Sequence, residues 1–157
     1  MFYSINMFSE QEIKLKIEEF LTTADIPAQV KVSPLNENAF SVFLSLDDEA
    51  GYFIGKGGEN LDALEHVIRL IINKKAEQPT RIFVDINEYK ERRAVILRER
   101  AKTVADRVKL SKISETLEPM SSFERRIIHL ELASRGDVIT ESIGEAPYRQ
   151  VIIKPAN

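Results

Sequence analysis

The 157-residue chain contains no cysteine, which excludes disulfide bonds, thiolate metal sites and a cysteine nucleophile. That absence fits a reducing compartment, and a cytoplasmic location is expected. Histidine is scarce as well, with only His66 and His129. Two histidines far apart, without a thiol nearby, give a zinc site no support, so no metal is expected. No apolar run approaches the roughly 18 residues of a membrane span. Met1 to Met7 lacks a positively charged start and a long apolar stretch, so no signal peptide is expected. There is no Ser, His and acid grouping, and the carboxylates are too scattered to nominate a pair. The chain is therefore not expected to be an enzyme, and neither catalytic residues nor a cofactor is assigned.

What is present supports a folded protein. The apolar fraction of 43% supplies a real core, and the length suits one ordinary domain or two small ones. The net charge of −3 hides an asymmetry. Residues 1–87 carry 8 Lys+Arg against 14 Asp+Glu, net −6, while residues 88–157 carry 14 against 11, net +3. Opposite charges in the two parts point to two modules with different surfaces.

Ser9 to Glu12 forms a capping box, and Ile13, Ile17, Phe20, Leu21 and Ala24 follow at helical spacing, so residues 10–24 are expected to be an amphipathic helix. Val30 and Val32, then Phe40, Val42, Leu44 and Leu46, alternate with polar residues and read as two antiparallel strands. A short helix over 47–53 leads into a glycine turn. The helix beyond it runs to about Ala76, with Val67, Leu70 and Ile72 widening its apolar face. Ile82 to Ile86 is a buried-looking strand. Asn87 is placed to cap a second long helix to about Leu110, with Tyr89, Ile96, Leu97, Ala101, Val104, Ala105 and Val108 on its apolar face. Ile113 to Leu117 reads as a short strand. Ser121 and Glu124 form another capping box, opening a helix that turns Phe123, Ile127 and Leu130 inward. Val138 to Ser142 and Arg149 to Ile153 read as a hairpin around Gly144 to Pro147.

The first candidate site is Ile54-Gly55-Lys56-Gly57-Gly58. A glycine-rich turn feeding a helix N-terminus presents backbone N–H groups and a positive dipole end, which suits a phosphate. Glycines that merely permit a tight helix–helix turn are the plain alternative. The pattern is not a Walker A loop, since Lys56 is followed by Gly57, and it lacks the spacing of a Rossmann fingerprint.

The second candidate is Arg125 and His129, four apart and so on one helix face. A guanidinium can fork onto phosphate oxygens, and an imidazole can donate to or stack beside a base. On spacing alone, such a pair describes an ordinary solvated face. His66 reads as a surface residue. The basic residues of 88–110 are interleaved with acids, which fits either a contact surface or a solvated face.

Context separates these readings. Leu117 to His129 resembles the core of the single-stranded nucleic-acid-binding domain named for its Arg-x-x-x-His (RxxxH) motif, and Thr140 to Val151 resembles its closing hairpin. Gly51 to Leu64 resembles the GxxG segment of a KH domain, a loop that clamps a nucleotide backbone. In this order the motifs resemble the bacterial Jag family (SpoIIIJ-associated proteins, also called KhpB or EloR) over roughly residues 9–155.

The resemblance implies an α/β (α+β) chain: a tail over 1–8, a type II KH-like domain over 9–87 and an RxxxH domain over 88–157, each a small sheet packed by helices. It implies a cytoplasmic, non-enzymatic protein that binds single-stranded RNA, with single-stranded DNA as an alternative ligand. Gly55, Lys56, Gly57 and Gly58 would hold the nucleic-acid backbone. Arg125 and His129 would make the second contact, helped by Arg126 and Arg149. Family members are also associated with a small single-KH partner and with cell-envelope growth. Two departures stand out. The family loop often carries two basic residues between its outer glycines, whereas Gly57 takes one position here and Glu59 follows. The Jag-N domain has no counterpart in the sequence, which reads as a short form or a truncation. A protein–protein adaptor, using the KH face to pair with a second copy or with another chain, is the reading from a different class.

Overall fold

The computed structural model describes residues 8–156. The tail expected over 1–8 lies outside them except for Phe8. That ring packs against the first core, with Lys16 Nζ 4.3 Å from its centroid. The chain is a mixed α/β protein with small sheets packed by helices, and it divides into two units, Met1–Tyr89 and Lys90–Asn157.

In the first unit, α1 (Glu10–Thr23) opens on the expected capping box: Glu12 N–H donates to Ser9 Oγ, and Ser9 N–H donates to Glu12 Oε2. Ile13, Ile17 and Leu21 recur along one face and are buried. Strands β1 (Gln29–Asn36) and β2 (Ala39–Ser45) pair antiparallel, with Val32 opposite Val42. After α2 (Ala50–Ile54), the glycine turn and α3 (Glu59–Asn73), strand β3 (Arg81–Ile86) returns parallel to β2. The order β1–β2–β3 makes β3 an edge. Alternation sends Val42, Leu44, Ile82, Val84 and Ile86 into the core with the buried residues of α1 and α3.

Three features of this unit differ from the sequence expectation. Helix α3 stops at Asn73, whose amide clips the start of β3. Its Oδ1 accepts Thr80 N–H at 2.7 Å, and its Nδ2 donates to Thr80 O at 3.0 Å. Val67 and Leu70 are exposed, because the covered stripe of α3 is the narrow line of Leu61, Ile68 and Ile72. Asn87 has a positive φ of 48° and grips Leu46, accepting its N–H and donating to its carbonyl, and the next helix begins at Tyr89.

The second unit holds α4 (Tyr89–Ser111), β4 (Glu115–Thr116), α5 (Ser122–Leu132), β5 (Val138–Ile143) and β6 (Gln150–Pro155), in a sheet ordered β4–β6–β5. Strand β4 is two residues rather than the five expected. The α4 stripe of Ala94, Leu97, Ala101, Val104, Ala105 and Val108 is buried, but Ile96 is 58% exposed. On α5 the buried positions are Glu124, Ile127, Ile128 and Leu132, while Leu130 is 64% exposed. Ile128 rather than Leu130 takes the inward face, because Leu132 lies four residues after it on the same side.

Candidate nucleic-acid interface

The glycine turn is built from left-handed backbone. Gly55 ends α2 at φ 73°, Gly57 lies at φ 62°, and Gly58 enters α3 at φ 84°. A Cβ on Gly55 would lie 2.7 Å from Asn60 Cγ, and one on Gly58 would lie 3.1 Å from Tyr89 Cε1, so both positions exclude a side chain. Asn60 Nδ2 donates to Tyr52 O at 2.7 Å, tying α2 to α3 across the turn. Lys56 is exposed. No side chain caps the start of α3, and Glu59 and Asp62 occupy its first turn. The loop thus offers backbone donors and one lysine beside two carboxylates.

In the second unit, Glu124 organises the start of α5. Its Oε2 accepts Ser121 N–H at 3.0 Å, and its Oε1 accepts Arg93 Nε at 2.6 Å. That fixes the helix from which Arg125 and His129 project. Arg125 Nη1 donates to Met120 O at 2.8 Å. Both ring nitrogens of His129 are engaged by hydroxyls on β5, Nδ1 with Thr140 Oγ1 and Nε2 with Ser142 Oγ, each at 2.7 Å. Burial, then repulsion from Arg125, holds the His129 imidazolium below its ordinary pKa. Arg125 is likewise shifted down by burial and then by the like charge of Arg149. The basic groups of α5 and the hairpin therefore lie close enough to repel one another. Arg126 and Arg149 are exposed.

The basic residues of α4 behave differently. Arg93, Arg98, Arg100, Lys102, Arg107 and Lys109 each pair with a carboxylate. That face is largely neutralised, which favours the solvated reading. Among the described residues, no ion pair joins Arg125, Arg126 or Arg149 to an acid. His66 is exposed. Sequence reading missed the supports Thr140, Ser142 and Arg93. The i,i+2 hydroxyls of Thr140 and Ser142 on a strand share one face and were the available signal.

Residues 95–155 match the model of the RxxxH domain, a span that takes in Arg125, His129 and Arg149. The chain is similar to the RNA-binding protein KhpB of Clostridium symbiosum, 44% identical over 106 residues, covering 68% of this chain and 48% of that protein. The protein of the same name from Lactiplantibacillus plantarum is 36% identical over 103 residues, covering 66% of this chain and 32% of its own. That of Streptococcus pneumoniae is 28% identical over 148 residues, covering 93% of this chain and 45% of its own. The chain thus spans between about a third and a half of the length of these relatives. The likenesses support the resemblance drawn from the two motifs.

Proposed function

We propose that the chain is a Jag/KhpB-family protein that binds single-stranded RNA, using a KH-type first unit and the RxxxH segment of the second. The order α1-β1-β2-α2-α3-β3, with Gly55 to Gly58 between α2 and α3, supports a type II KH reading of residues 9–87. The observation that carries the function is charge. Arg125, Arg126 and Arg149 have no acidic partner among the described residues, while the basic groups of α4 are paired. Repelling cations left unneutralised are stabilised by a polyanion, and phosphate contacts dominate nucleic-acid affinity. Arg125 and His129 form one contact with Arg126 and Arg149 as helpers, and Gly55, Lys56, Gly57 and Gly58 form a separate backbone contact. The cytoplasmic setting, post-transcriptional regulation linked to cell-envelope growth and a single-KH partner accompany this reading through the family resemblance.

Titrating labelled single-stranded RNA at low salt tests it. Arg125→Ala should weaken binding, and Lys56→Asp with Gly57→Asp should weaken it independently. Unchanged affinity in both variants and in their combination would overturn the proposal.

A second reading, a protein–protein adaptor, is favoured by one feature of the first unit. Tyr52, Val67 and Leu70 expose apolar surface on an acidic module, beside a cavity lined by Phe20, Phe53 and Leu64. Tight dimers in sedimentation, with a shallow salt dependence of any RNA binding, would support it.

A further inference from the structure

Strand β3 is an edge, and its odd-numbered residues face β2: Arg81 N–H donates to Asn38 O, and Asn87 N–H donates to Leu44 O. The amides of the even-numbered residues therefore point away from the sheet. Side-chain oxygens take three of them. Asn73 Oδ1 accepts from Thr80, Glu65 Oε2 from Val84 at 2.9 Å, and Asp85 Oδ1 from Ile86. No side chain among the described residues caps the outward amide of Ile82. Beside it lies a groove of about 340 Å³ lined by Glu65, Arg69, Arg81, Ile82 and Phe83. Phe83 is 49% exposed there. Glu65 is pinned from two sides, by the Val84 amide and by Arg69 Nη2 at 3.4 Å, and its side chain is 16% exposed.

The groove offers an aromatic surface, a strand edge and a carboxylate held in place on α3. Glu65 stands six residues into the helix that the glycine turn opens, about 9 Å along the axis at 1.5 Å per residue. A strand whose backbone is held at the turn would bring an adjoining nucleotide to this position. A carboxylate presents acceptors only. It attracts the exocyclic amino group of adenine or cytosine and repels the carbonyl oxygens that flank the imino group of uracil.

Building on the single-stranded RNA reading, we propose that Glu65 is a specificity-determining residue: the β3-edge groove takes an amino-bearing base and discriminates against uracil. Glutamine at this position keeps an acceptor for the Val84 amide but adds a donor that can serve a carbonyl. The substitution should therefore erase the preference without breaking the clip to β3.

The test measures anisotropy with short labelled oligo(A), oligo(C) and oligo(U) on the full chain. The wild-type protein should bind the first two about tenfold more tightly than oligo(U). In Glu65→Gln that ratio should fall to within about twofold. A second arm needs no variant: replacing adenosine with purine riboside, which lacks only the amino group, should cost the wild-type protein about tenfold. An equal affinity for all three oligomers, a ratio unchanged in Glu65→Gln, or no loss with purine riboside would overturn the assignment of Glu65. Binding of RNA that is sensitive to Arg125→Ala but blind to these changes would refute the assignment alone. Absence of any RNA binding would refute the underlying reading.

Discussion

Arg93 Nε stands 2.6 Å from Glu124 Oε1, and the carboxylate it meets is 1% exposed. The same carboxylate caps α5 through Ser121 N–H, so one buried charge both neutralises α4 and aims the Arg125/His129 face. Removing one partner of a buried pair leaves the other uncompensated, which costs roughly 3–5 kcal/mol. Arg93 keeps part of its side chain in water, which argues for the lower end. Glu124→Ala should destabilise the chain by about 3 kcal/mol in urea unfolding. The double variant with Arg93→Ala should be less unstable than the two single losses added together.

Two glycines near the turn should respond in opposite directions to the same substitution. Gly51 has open space where a Cβ would go and lies inside α2, so Gly51→Ala should stabilise by about 0.5–1 kcal/mol. At Gly55, φ is +73° and a Cβ would meet Asn60 Cγ at 2.7 Å, so Gly55→Ala should destabilise by about 1–2 kcal/mol. Asn60 would have to release Tyr52 O as well. Equal effects of the two substitutions on the unfolding midpoint would contradict this account.

The sequence marks local features well because they are written in neighbouring residues. Both capping boxes, the alternating strands and the glycine turn depend on spacings of four residues or fewer, and all appear in the structure. Long-range partners were not legible. Nothing in the run after Asn87 shows that its amide closes on Leu46, 41 positions earlier, or that Arg93 seeks Glu124. Periodicity also cannot say how wide a stripe the sheet covers, which is why Val67, Ile96 and Leu130 read as core and lie exposed. At the candidate site, Arg125 and His129 were visible as a spacing, but the hydroxyls that orient the ring come from a separate strand.

Salt dependence separates arginines that bind from arginines that hold the fold. Each phosphate contact on a single strand contributes about 0.7 to the slope of log affinity against log salt. Arg125→Ala should therefore reduce that slope by about 0.7. Arg135 is occupied by Asp106 and Asp137, each at 2.7 Å. Arg135→Ala should leave the slope unchanged while lowering the unfolding midpoint. A comparable loss of slope in both variants would mean that pairing does not distinguish the two roles.

His129 ties stability and binding to pH with opposite signs. Burial and Arg125 hold its pKa below the ordinary histidine value of about 6.5, so the folded chain resists protonation that the unfolded chain accepts. The stability this gives is complete above the unfolded value and is lost as pH falls through the folded one. Glu12, Glu115, Asp137 and Glu141 are also shifted down, but the stability they contribute fades only near and below the ordinary carboxylate range. Unfolding measured between about pH 7.5 and 5.5 should therefore show a decline that His129→Gln largely removes. RNA affinity should move the other way, because phosphate favours the imidazolium that Arg125 opposes. Binding should strengthen toward about pH 5.5 in the wild-type protein and stay level in His129→Gln. If affinity declines along with stability over that range, the ring is serving the fold through Thr140 and Ser142 rather than meeting the phosphate.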